Sequence, residues 1–368
     1  MLRRDFLRTS AALMAGGLVT ARAQTPASRD VSWLARVQTP PVTLPADAPR
    51  LPPVLVDGAG QPIRTLAAWQ TRRKELRQWW LDFLGPMPAA RNGPPAWKTL
   101  DEDRIDGIVR ARITYEVEPG IATEAYLLRP EKSAAGARGP AAVVLHSTVN
   151  HSILQPAGLG ADREKAFGLA LARRGFVTIS PRNFLWPTND RIDARAETAK
   201  FQTRHPRSKG MARMLHDALV AVDLLAALPD VDAQRIGSVG HSLGAKEVVY
   251  LAAFDERVRA TVSSEGGIGL RFSNWDAEWY LGSAITAPAF TREQHELVAL
   301  AAPRPFLLVG GDSADGDRSW PFIEAALPVY RLYGGPSRVG LLNHKGGHAV
   351  PPEAERAIAE WMETYTLT

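Results

Sequence analysis

From residue 141 onward, short apolar runs alternate with amphipathic stretches, and that rhythm leaves few architectures open. Residues 141–145 precede a helical pattern at 162–174. Residues 176–180 precede a long connection and a helix over 211–228. Residues 235–239 lead into 245–254, and 258–262 follow at once. Residues 305–309 precede a helix near 320–333, and 339–343 precede a last helix over 352–365. Strand, helix, strand, helix predicts an α/β fold with a parallel sheet covered on both faces. Ahead of it, 105–117 and 122–128 alternate apolar and polar residues around Pro119-Gly120, the pattern of an antiparallel pair. The expected architecture is a mostly parallel central sheet with that antiparallel pair leading.

The remaining segments read more simply. In 65–85, Trp69, Leu76, Trp79, Trp80 and Phe83 recur at helical spacing until Gly85-Pro86 stops the pattern. Residues 24–55 are rich in Pro, Ala and Thr and are expected to form an extended lead-in over the surface. A single domain then covers 56–368. Its connections 181–210 and 264–302 are long for plain loops, as is common where a chain shapes a site's rim.

The most informative motif is Gly240-His241-Ser242-Leu243-Gly244, set between a strand pattern and a helix pattern. Strand, G-x-S-x-G, helix is the nucleophile elbow. The turn is sharp enough to lift the serine hydroxyl clear of the sheet, and residues two before and two after pass too close for side chains. The backbone N–H of Leu243 is then aimed at a developing oxyanion. A base must follow on a loop after the last strand, where His348 stands between Gly347 and Pro351. His344, at the strand end, is the competitor and is expected to pack there. For the acid, two places stay open: Glu265 after the strand at 258–262, or an aspartate in 312–317, with Asp315 as the choice among Asp312, Asp315 and Asp317. A zinc site on His344 and His348 lacks any H-E-x-x-H pattern, and no metal or organic cofactor is expected.

These residues resemble α/β-hydrolases of the dienelactone hydrolase and acetylxylan esterase kind, and more closely the glucuronoyl esterases and their bacterial relatives. The likeness runs loosely over 50–365 and is tightest over 236–267. It includes Val56-Asp57-Gly58, Trp69, Arg72-Arg73, Ser242, Lys246, Ala253-Phe254-Asp255 and Glu265. The resemblance implies an α/β-hydrolase fold, Glu265 as triad acid, Lys246 as a contact to a sugar acid's hydroxyls, and a second oxyanion donor near Ser147. Glucuronoyl esterases carry an arginine directly after the serine. Leu243 stands there in this chain and cannot make a charge-assisted contact to the oxyanion. Aromatic and basic residues of the long connections, Arg182, Trp186, Trp275 and Trp279, are candidates to line the site.

Composition narrows the classes further. The chain has no cysteine, which removes disulfides, thiolate nucleophiles and cysteine-held metals. Its formal charge of +5 is inflated at one end: residues 1–23 hold Arg3, Arg4, Arg8 and Arg22 against Asp5, leaving 40 basic against 38 acidic residues elsewhere. No basic stripe is present, so nucleic acid is not an expected partner. Arg3-Arg4-Asp5-Phe6-Leu7-Arg8, an apolar stretch over 11–19 and Ala21-Arg22-Ala23 have the order of a twin-arginine export signal. The stretch is too short for a stable membrane anchor. The expectation is an exported, periplasmic or secreted serine esterase acting on a small-molecule or carbohydrate ester. Its alternatives are a peptidase of prolyl-oligopeptidase type and a hydrolase-fold binding protein without turnover. Oligomeric state, acyl group and alcohol are not legible in the sequence.

Overall fold

The structure, a computed structural model, describes residues 30–88, 93–131 and 138–367. The export signal expected at 1–23 lies outside them. Nine strands form one sheet: β1 (Trp97–Ile105), β2 (Ile108–Glu118), β3 (Ile121–Pro130), β4 (Gly139–Leu145), β5 (Val177–Pro181), β6 (Val231–His241), β7 (Val258–Ser264), β8 (Phe306–Gly310) and β9 (Val339–Asn343). The order across the sheet is β1-β2-β3-β5-β4-β6-β7-β8-β9. From β5 to β9 every neighbour is parallel, whereas β1, β2 and β3 run antiparallel to one another and β3 antiparallel to β5. The leading pair expected from the sequence is β2 and β3. A third strand, β1, extends it through a hairpin at Asp106 and Gly107, both with positive φ.

The helices are α1 (Leu34–Val37), α2 (Leu66–Leu84), α3 (Phe167–Ala172), α4 (Ala194–Arg204), α5 (Gly210–Ala227), α6 (Leu243–Phe254), α7 (His295–Ala301), α8 (Trp320–Arg331) and α9 (Pro352–Thr366). Alternation along the buried strands decides which helices cover which face. Ala141 and Val143 of β4 pack with α5 and α6, and Phe306 and Leu308 of β8 join the cluster that contains α2, α7 and α8. The intervening Ala142, Val144, Leu307 and Val309 pack with α3 and α9 on the other face. Helix α2 begins where the Thr65 side chain accepts from Ala68 N, and it buries Trp69, Leu76, Trp80 and Leu84. It ends at Gly85 (φ 86°), where a Cβ would lie 2.1 Å from the Arg207 carbonyl oxygen.

The lead-in does more than cross the surface. Val31 N donates to the Tyr365 hydroxyl at 3.3 Å, Trp33 Nε1 to Glu360 at 2.8 Å, and Gln38 Nε2 to the Val339 carbonyl at 3.1 Å. Residues 30–38 thereby cover the free edge of β9, an edge that would otherwise invite pairing with another chain. At the opposite edge β1 is protected by charge: Lys98, Asp101, Glu102, Asp103 and Arg104 are all exposed.

Candidate active site

The C-terminal ends of the parallel strands carry the site, where open α/β sheets generally bind ligands. Between β6 and α6, Ser242 has φ 56° and ψ −113°, a strained setting for a non-glycine residue, and its N–H is held by the Ser264 carbonyl at 2.8 Å. A Cβ on Gly240 would lie 2.2 Å from the Gly244 carbonyl oxygen. One on Gly244 would lie 2.1 Å from that of Leu145. Both contacts are to backbone, which cannot step aside as a flexible side chain does. Gly244→Ala is therefore expected to cost about 3 kcal/mol or more of stability and to displace the turn, seen as a lowered Tm in thermal unfolding.

His348 stands in the loop between β9 and α9. His344 N donates to the Gly310 carbonyl at 2.8 Å and Gly347 N to that of Gly311 at 2.7 Å, so this loop is bound to the end of β8. The His348 Nδ1 lies 3.1 Å from Glu265 Oε2. Glu265 follows β7 directly, has φ 55°, and is 1% exposed. Its carboxylate accepts from Gly311 N through Oε1 and from Ala314 N through Oε2, the latter at 2.7 Å. Burial alone would raise its pKa, but the hydrogen bonds from His348, Ala314 and Gly311 outweigh it and hold the group below the ordinary carboxylate range. His241 packs its ring 4.7 Å from that of His348, centre to centre. Burial first, and His348 second, keep His241 well below the usual imidazole pKa, so it offers a neutral neighbour.

The two candidate acids separate here. Asp315 does not reach His348; its oxygens accept from Gly267 N at 2.7 Å, Ile268 N at 2.8 Å and the Ser319 hydroxyl at 2.8 Å. It organises the turn after β7, and burial raises its pKa. Asp312 and Asp317 both accept from the Asn343 amide. His344 stays at the strand end as expected, its Nδ1 accepting from Gly346 N at 3.0 Å.

Ser242 and His348 line one cavity of about 140 Å³, together with Thr148, Leu243, Lys246 and Glu265. Both long connections contribute walls: Leu185, Ile192 and Ala194 from the first, Ser273, Asn274, Trp279 and Tyr280 from the second. Of the four candidate rim residues only Trp279 lines it. Trp275 is buried and donates to the Gly267 carbonyl at 2.7 Å, Trp186 donates to the Val149 carbonyl at 2.9 Å, and Arg182 bonds Asn189. A roomier cavity of about 760 Å³ lies at the other ends of β7, β8 and β9. It is remote from Ser242, and Arg304 there is spent on the carbonyls of Ala252, Asp255 and Val258.

Leu243 is the first residue of α6, so its N–H has no intrahelical acceptor. Ser147 requires a correction. Its N–H is already donated to Gln155 Oε1 at 2.8 Å, so it cannot also serve an oxyanion. The next residue, Thr148, is exposed and lines the cavity.

Lys246 is 4% exposed, and its Nζ has no hydrogen-bond partner. The Nζ lies 4.3 Å from the centre of the Trp275 ring and 5.2 Å from that of Tyr280. Burial lowers its pKa to about 7, against a weaker opposing pull from Asp315. A folded-state pKa below the unfolded one penalises folding. The penalty is absent above the unfolded value of about 10.4, grows as pH falls through that window, and is complete below about 7. Lys246→Met is expected to raise Tm, more at pH 6 than at pH 9, by thermal unfolding at both.

Fold and site together define the α/β-hydrolase fold. Residues 123–290 match the dienelactone hydrolase family. The putative hydrolase YtaP of Bacillus subtilis (strain 168) is 27% identical over 310 residues, covering 79% of this chain and all of that protein. Among solved structures, a glucuronoyl esterase from Solibacter usitatus superposes with a TM-score of 0.67 at 17% identity, over 88% of this chain and 99% of its own. A putative acetyl xylan esterase from Bacteroides fragilis gives 0.57 at 15% identity, over 77% of each chain.

Proposed function

We propose that this protein is a serine carboxylic-ester hydrolase acting on a small ester borne by a carbohydrate. The observation that carries the reading is the joint lining of one cavity by the strained Ser242 and by a His348 whose far nitrogen is held by buried Glu265. Ser242 Oγ attacks the carbonyl carbon. His348 takes its proton and later gives it to the leaving alcohol, and Glu265 steadies the imidazolium. The N–H groups of Leu243 and Thr148 receive the oxyanion. Water then repeats the sequence on the acyl-enzyme. The names of the structurally similar esterases support a carbohydrate-linked ester. The cavity, at about 140 Å³, is well under the roughly 300 Å³ of a drug-sized site, which favours a small acyl group with its alcohol outside. Export by residues 1–23 belongs to the same reading, and cell fractionation of the tagged full chain tests it.

The test is hydrolysis of p-nitrophenyl acetate and butyrate, acetylated xylan and a methyl glucuronate ester, beside labelling by a fluorophosphonate. Turnover of at least one ester, with the label mapped to Ser242, is expected. With Leu243 in place of a cationic neighbour, the glucuronate ester is expected to be the poorer substrate. No turnover and no label would overturn the reading in favour of a binding protein.

A further inference from the structure

Behind the loop that carries Thr148 runs a chain of polar contacts with no part in the scheme above. Ser147 N–H donates to Gln155 Oε1 at 2.8 Å, Gln155 Nε2 donates to Asp162 Oδ2, and Asp162 Oδ1 meets His151 Nε2 at 2.8 Å. The amide orientation of Gln155 is decided from both ends. A backbone N–H can only donate, so Oε1 faces it, and the NH₂ is left to face the carboxylate. Gln155 is 2% exposed. Burial would raise the pKa of Asp162, but the bonds from Gln155 and His151 outweigh it and keep the group low, in the ionised form the chain needs. Gly160 makes the room: a Cβ there would lie 2.5 Å from His151 Nε2 and 2.8 Å from Asp162 Oδ1.

On the other side the loop is equally tied. The Ser147 carbonyl accepts from Val149 N at 2.9 Å and lies 2.8 Å from His146 Nδ1. The Val149 carbonyl accepts from Trp186 Nε1 at 2.9 Å. The backbone polar groups on either side of Thr148 are thus occupied, and Thr148 itself lines the cavity with Ser242.

We propose that Gln155, backed by Asp162, is a positioning residue that sets the Thr148 N–H as the second oxyanion donor. The proposal rests on the ester-hydrolase reading of Ser242. Gln155 touches no reacting atom. By holding Ser147 N–H from behind, it fixes the His146–Ser147 peptide. That peptide is the anchor from which the next one, Ser147–Thr148, presents the Thr148 N–H while its own carbonyl is held by Val149 N and His146 Nδ1. Without that acceptor a buried N–H is left unpaired, the His146–Ser147 peptide shifts to find a new partner, and the adjoining peptide that carries the Thr148 N–H loses its anchor.

The experiment uses the purified full chain and p-nitrophenyl acetate, with Gln155→Ala, Gln155→Glu, Asp162→Asn, and the double exchange Gln155→Glu with Asp162→Asn. Gln155→Glu alone sets two carboxylates face to face. The double exchange restores an acceptor for Ser147 N–H and a donor toward it. Gln155→Ala and Gln155→Glu are expected to lower kcat about tenfold or more, short of the 10²–10³ of a deleted donor, with KM within about twofold. Binding of phenylboronic acid, whose tetrahedral adduct on Ser242 uses the same donors, is expected to weaken in parallel. The double exchange recovers kcat to within about threefold of wild type, the coupling a contacting pair shows. Wild-type kcat in both Gln155 variants overturns the proposal. So does a loss that only follows the unfolded fraction seen in thermal melts, with no recovery in the double exchange. A wild type that turns over no ester overturns both this and the parent reading, and the Ser242→Ala control separates that outcome from background hydrolysis.

Discussion

Ser242→Ala is expected to lower ester turnover by roughly 10⁴-fold or more while leaving the fold intact. In the proposed mechanism the substitution removes the attacking oxygen and leaves His348, Glu265 and the proposed oxyanion donors where they are. In the same scheme the rate that remains is the contribution of binding and of the proposed Leu243 and Thr148 donors. Stability should hold, because alanine keeps the Cβ and the backbone bond from residue 242 N to the Ser264 carbonyl. Steady-state rates on p-nitrophenyl acetate with a parallel thermal melt check both halves. Retained turnover in the alanine variant would remove Ser242 from the mechanism.

Glu265→Gln is expected to lower kcat by roughly 10³–10⁴-fold. The carboxylate accepts from Gly311 N, from Ala314 N and from His348 Nδ1. An amide has one accepting atom for these donors, and its NH₂ must face at least one of them. The imidazole then loses the partner that fixes its tautomer and steadies its charged form. Because the site is buried, a donor set against a donor also costs about 1–3 kcal/mol of stability. Asp315→Asn makes the contrast. It disturbs the bonds to Gly267 and Ile268 and should lower Tm, yet kcat should fall less than about tenfold, since Asp315 has no bond to His348. Measuring kcat and Tm for both variants tests the separation, and a larger kcat loss in Asp315→Asn would reverse the assignment.

Much of this was legible in the sequence because it rests on local rules. The elbow is a spacing constraint, and Gly240 and Gly244 sit where Cβ atoms would strike backbone. The parallel strands announce themselves because both of their faces are buried. Strand β1 gave no such signal: its exposed, charged residues protect an edge and do not alternate with apolar ones. The hint was Asp106-Gly107, a dipeptide suited to the two-residue hairpin that joins Ile105 to Ile108. The acid stayed open between Glu265 and Asp315 because each ends or follows a neighbouring strand. Only the packing of the 311–315 loop over β7 shows which carboxyl faces the imidazole. Ser147 and Thr148 differ for a similar reason. Which N–H stays free depends on the side chain of Gln155, eight residues on, and no periodicity reports that.

The docking of residues 30–38 has a consequence for how the molecule is made. Val31 meets Tyr365 across 334 positions of chain, and the Trp33 ring packs 5.7 Å from that of Trp361. The segment that guards β9 can therefore not seat until the final helix has left the ribosome. Through nearly the whole of synthesis that sheet edge, and the strand itself, are unavailable or bare. Contacts this distant form late and slowly. Premature termination near residue 350 would yield a chain in which Val31 and Trp33 lack Tyr365, Glu360 and Trp361, the partners that seat them.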